Sequence, residues 1–154
     1  MKKHFLLSFL ILLFITACEE EAATPGTPSE FIKGEWTCLN ITTNFYDEDG
    51  NMVHQEIGAE GWIFRFDGKT MKMLAPSADG QLVEMRSGDY QIFEEKEKDY
   101  IKFKINGNTT EPHEITAISA SKMTWVQNTV PVYNDGTGNV VVDKAIQTNE
   151  FTKK

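Results

Sequence analysis

No stretch of this chain carries the 3.6-residue apolar period of a long amphipathic helix, so a helical bundle or an alternating α/β fold is not the expectation. Cysteine is scarce. Cys18 and Cys38 allow one disulfide at most, and a domain this size must draw its stability from its core. The three histidines are His4, His54 and His113. Neither His54 nor His113 has a histidine, cysteine or carboxylate set at metal-ligand spacing, so no metal site is assigned. There is no Gly-x-Ser-x-Gly elbow and no phosphate-cradling glycine loop. The expectation is a non-enzymatic protein with no catalytic residues. Basic residues are the minority, 15 Lys and Arg against 23 Asp and Glu, for a formal charge of −8. An acidic surface repels nucleic-acid phosphates and anionic lipids, which argues against a nucleic-acid partner. The longest apolar run, Phe5 to Ile15, is shorter than the roughly 18 to 20 residues needed to cross a bilayer.

That short run has a specific context. Lys2 and Lys3 precede it and the small residues Thr16 and Ala17 follow it, the three-part order of a secretory signal. The residues Ile15-Thr16-Ala17-Cys18 resemble a bacterial lipobox. The resemblance implies that 1–17 are a lipoprotein signal peptide and that Cys18 becomes a lipidated N-terminus, bearing diacylglycerol and an acyl chain such as palmitate. No other cofactor is expected. Several chains on one cysteine make a stable anchor where a single chain does not, so the membrane is the first expected partner. Glu19-Glu20-Glu21 follow at once. They read either as a solvated linker or as a sorting signal for the outer face of the outer membrane, the expected location. Residues 18–29 are small, polar and punctuated by proline, and form a tether. Residues 30–154 form one domain.

From Gly34 onward the apolar pattern has period two, and turn signals recur at strand-like spacing. Asp47-Glu48-Asp49-Gly50-Asn51 is a turn. Its resemblance to the start of a calcium loop is not completed, because position twelve is Gly58 where a glutamate is needed. Asp67-Gly68 joins Trp62–Phe66 to Lys69–Leu74. Ser87-Gly88 is expected to break Gln81–Arg86 from Asp89–Phe93. Asn106-Gly107-Asn108 divides Tyr100–Ile105 from His113–Ile118. Lys122–Tyr133 reads as one strand, with Pro131 at an edge or a strand end. Ser29 is the expected cap of a single helical turn before Gly34.

Alternation identifies the buried faces. Trp62, Phe64 and Phe66 share one face; Met71 and Met73 share another; Ile101, Phe103 and Ile105 a third. The first strand is ambiguous, because Trp36 and Cys38 have one parity while Leu39, Ile41 and Phe45 have the other. A bulge that switches faces and a strand covered on both faces both fit. Cys38, left without a partner if Cys18 is lipidated, reads as a small buried apolar residue. Trp62, Phe64, Met71, Met73, Tyr90 and Trp125, with Tyr133, are the candidates to line an apolar pocket.

A capped turn, then Gly34-Glu35-Trp36, then a long series of strands: this resembles a lipocalin-like domain of small Gram-negative lipoproteins. The resemblance implies an all-β fold, an antiparallel up-and-down β-barrel of about eight to ten strands, with a β-sandwich as the alternative. It also implies that Gly34 lets the chain turn into the barrel and that Trp36 plugs its closed end. The arginine that packs over that tryptophan in lipocalins is missing here, and Lys153 stands near the corresponding place. The function implied is a lipid-anchored envelope protein whose barrel binds a small apolar or amphipathic ligand. The alternative is a solid barrel that docks on another envelope protein.

Overall fold

The structure, a computed structural model, describes residues 26–58 and 61–154. The expected signal segment, Cys18, the acidic triplet and most of the tether lie outside the described residues. The first element is one helical turn, α1 (Pro28–Phe31). Its cap is Thr27 and not the expected Ser29. The Thr27 backbone N–H donates to Glu30 Oε2 at 2.8 Å, and Pro28 takes the first helical position, where its missing N–H costs nothing.

Twelve strands follow: β1 (Gly34–Tyr46), β2 (Met52–Ile57), β3 (Ile63–Phe66), β4 (Thr70–Pro76), β5 (Leu82–Glu95), β6 (Lys98–Ile105), β7 (Asn108–Thr109), β8 (His113–Ile118), β9 (Lys122–Thr129), β10 (Val132–Asn134), β11 (Asn139–Val141) and β12 (Lys144–Lys153). All pairings are antiparallel. The order β12-β9-β8-β6-β5-β4-β3-β1 closes on itself because β1 also pairs β12, from Trp36↔Lys153 to Tyr46↔Lys144. This is a closed eight-stranded barrel, so the sandwich alternative is set aside. One end of the barrel gathers α1, the turns β3–β4, β5–β6 and β8–β9, and the C-terminus. The other end gathers the β1–β2, β4–β5 and β6–β8 loops and the separate β10–β11 hairpin, while β2 and β3 follow one another along β1.

A bulge settles the ambiguity in β1. The register against β12 shifts between Cys38 and Asn40, and Leu39, the residue passed over, is 50% exposed. Below it Trp36 and Cys38 are buried; above it Ile41 packs on the core and Phe45 is buried. One extra residue moves the inward parity from even to odd positions.

Two expected breaks fall differently. β5 runs unbroken through Ser87-Gly88. Gly88 serves close approach rather than a turn: a Cβ there would lie 2.3 Å from the Lys104 carbonyl oxygen of β6. The expected strand 122–133 is two, β9 and β10, parted at Val130-Pro131 because proline cannot donate to a ladder. The Asp47–Asn51 loop is a hairpin turn in which the Asp47 carboxylate accepts from the Asn51 backbone at 2.8 Å and from its side chain at 3.2 Å.

Candidate functional site

The barrel interior is built in layers. At the closed end Trp36 is fully buried, and its Nε1 donates to the Ile32 carbonyl at 2.6 Å. Lys153 lies across it. Its Nζ sits 5.0 Å from the Trp36 ring centroid and donates to the Phe31 carbonyl at 2.7 Å, so a lysine supplies the cation–π contact without guanidinium stacking. Gly34 is required twice over. Its φ is +120°, and a Cβ would meet Lys153 Cε at 2.8 Å.

An aromatic layer stands above this plug. Trp125 on β9 lies 4.3 Å from Phe151 on β12, 5.7 Å from Phe64 on β3 and 5.8 Å from Phe103 on β6, between ring centroids. β9 and β12 are neighbours, but β6 stands two strands and β3 three strands from β9 around the ring, so the layer spans the lumen. The predicted pocket residues gather here. Met71 and Trp125 are buried within one apolar cluster, and Trp62, Phe64, Met73 and Tyr90 pack against it half-buried. Tyr90 stacks edge-on against Phe66 at 5.1 Å, and burial pushes its phenol pKa up. Tyr133 is elsewhere, stacked on His54 at 4.1 Å and beside Phe45 at 5.2 Å. The β10–β11 hairpin thereby leans on one side of the rim.

A polar layer sits toward the open end, and the sequence reading missed it. On β12 Ala145, Gln147, Asn149 and Phe151 share one face, paired with Thr129, Gln127, Trp125 and Met123 of β9. The buried members of this set face the lumen, so Gln147 and Gln127 face it too, and Gln127 donates its amide to Gln147. Asn149 is 7% exposed, and its Nδ2 has no partner. His113 on β8 packs flat against Trp125 at 6.0 Å; its Nδ1 is buried and equally without a partner. Burial alone draws the His113 pKa down to about 4, because desolvation disfavours the imidazolium. At neutral pH the imidazole is uncharged.

A buried donor without an acceptor costs about 1–3 kcal/mol. Asn149 Nδ2 is such a donor, and His113 Nδ1 belongs to a neutral ring that donates from one nitrogen and accepts at the other, so the two offer a bound molecule or a water unfilled hydrogen-bonding positions. The layer carries no formal charge at neutral pH. It suits an oxygen-bearing group such as a carbonyl, a hydroxyl or a carboxylate, while the aromatic layer below suits an apolar body. The sequence signal existed, since Gln147 and Asn149 share the parity of Ala145 and Phe151, but polar residues on an alternating strand read by default as the solvent face.

No protein-family model matches the chain, and no curated protein matches it in sequence. Among solved structures, a lipocalin-like protein from Bacteroides uniformis aligns over 79% of this chain and 97% of its own, at 12% identity and a TM-score of 0.46.

Proposed function

We propose that this chain is a lipid-anchored protein of the bacterial outer membrane whose barrel binds one small amphipathic molecule. Binding, not catalysis, is the activity proposed. The observation that supports it is the pair of unpartnered buried groups, Asn149 Nδ2 and His113 Nδ1, beside the aromatic layer around Trp125. The ligand's apolar part rests on Trp125 and its neighbours, and its oxygen atoms face Asn149 and His113. The anchor is argued from Cys18 and the residues before it.

Native mass spectrometry of the protein taken from its own envelope is expected to show a bound small molecule. Asn149→Leu is expected to weaken retention roughly tenfold, the equivalent of about 1.4 kcal/mol. An empty wild-type barrel would sink this reading. Metabolic labelling with a fatty acid is expected to mark the wild type and to be lost in Cys18→Ser; label retained in the variant removes the anchor.

A second reading is favoured by a separate observation. Met52, Val53 and Ile57 of β2, with Leu82, Val83 and Met85 of β5, are large, apolar and exposed. They suit a barrel that docks on another envelope protein. Cross-linking in intact cells from position 53 or 83 is expected to capture a specific partner under that reading and nothing specific under the first.

A further inference from the structure

The two ends of the barrel carry opposite charge. The open end holds Asp47, Glu48 and Asp49 in one turn, then Asp79, Glu111, Asp135 and Asp143, against Lys144 at the start of β12. The closed end, α1 included, holds Lys33, Lys69, Lys96, Lys153 and Lys154 against Glu30, Asp67 and Glu97. A chain of net −8 thus keeps a basic face, and keeps it at the end where residue 26 leads into α1.

The side of that end is grooved. From Lys69 at that end a groove of about 410 Å³ runs up the wall past Asp89, Gln91 and Lys102 to Lys104 and Thr109, beside the open-end turn that follows β6. Lys33 lines an adjoining groove of about 330 Å³, and the two share Tyr90 and Gln91. None of these four lysines makes an ion pair among the described residues, although Lys72, Lys98 and Lys154 do. Asp89 faces Lys104 across the ladder without closing on it. The nearby acids are occupied. Glu30 caps α1 through Thr27, and the Asp67 carboxylate accepts from Lys69 N, Thr70 N and Thr70 Oγ1. Lys102 Nζ lies over the Phe93 ring at 5.1 Å and Lys33 stands close enough to the Glu30 carboxylate to interact with it, which leaves Lys69 and Lys104 without a partner among the described residues.

We propose that this closed-end face docks on the phosphate-bearing headgroups of a membrane surface and holds the barrel upright, mouth outward. The inference rests on the anchor reading above, which brings residue 26, and so the closed end, to within a short tether of the bilayer. Headgroup phosphates attract a clustered basic face, and the acidic mouth is repelled from the same surface. The acidic composition disfavours anionic lipid on average; the distribution of charge reverses that at one end.

The test uses residues 18–154 bearing Cys18→Ser, which contain every described strand and no lipid. Binding then reads the lysine face alone, and the labelling experiment reads the anchor. Sedimentation with phosphatidylcholine vesicles containing phosphatidylglycerol is expected to carry the protein down at low salt, and phosphatidylcholine alone is not. Each lysine is expected to contribute about fivefold, so K33Q/K69Q weakens binding about 25-fold by the same scale. R86Q/K144Q, which removes the same charge away from this face, leaves it unchanged. Equal loss in the two double variants, or no binding by the parent, overturns the proposal. Competition by inorganic phosphate beyond that of chloride at matched ionic strength also overturns it, in favour of a free-phosphate site.

Discussion

His113 keeps one ring nitrogen buried with no hydrogen-bond partner, and its consequence is a pH dependence with a defined sign. The folded pKa, about 4, is below the ordinary value near 6.5. Between those two values the unfolded chain binds the proton and the folded chain does not. Stability is therefore full above about pH 6.5 and falls as the pH drops toward 4, by on the order of 3 kcal/mol over the whole window. Thermal unfolding across that range is expected to show the decline in the wild type and a flatter profile in His113→Leu; parallel profiles would remove His113 as the cause. Asp67 is separable from it. The Thr70 hydroxyl and backbone and the Lys69 backbone hold its carboxyl down to about 2, so its contribution is lost only as the pH falls from about 3.9 through that value. Cys38 is silent in this range, since burial raises its thiol to about 11, and it fills space beneath the bulge as its sequence setting suggests.

Leu39 shows what an element gains from one unpaired residue. Half its surface is exposed, and it makes no ladder pair with β12. Leu39→Lys is accordingly expected to change stability by less than about 0.5 kcal/mol. Deleting residue 39 is a different perturbation, because a one-residue slip exchanges the faces of everything beyond it. It would turn Ile41 and Phe45 outward, or Trp36 and Cys38. Urea titration with near-ultraviolet circular dichroism is expected to give a native-like substitution and an unfolded deletion; a folded deletion variant would show that the bulge does not set the register. The parity conflict in β1 was visible in the sequence, and the bulge was one of two solutions open there. Ser87-Gly88 misled for the opposite reason. A glycine that turns a chain and a glycine that lets a carbonyl approach are identical until the neighbouring strand is in place. The half-buried faces of β3, β4 and β6 were largely legible because Phe64-Arg65-Phe66, Met71-Lys72-Met73 and Ile101-Lys102-Phe103-Lys104 alternate, while buried Ile63 and Leu74, which have the other parity, were not. The polar lumen of β9 and β12 was not, because a glutamine facing inward and one facing water follow the same alternation.

For the whole molecule, strand spacing pointed to an all-β barrel or sandwich, and the up-and-down barrel was what the lipocalin-like resemblance implied. The charge separation between its ends followed from neither. It needs knowledge of which turns share an end, and only strand direction supplies that. One feature of the closure has a kinetic meaning. β1 is sealed by β12, so residues such as Asn40 and Glu150, 110 positions apart, must meet before the ring exists. Chains dominated by such distant pairings fold slowly, in milliseconds to seconds, and here the closing strand is the last of the described strands. Until Lys144–Lys153 is available, β1 has a free edge where its longest ladder belongs.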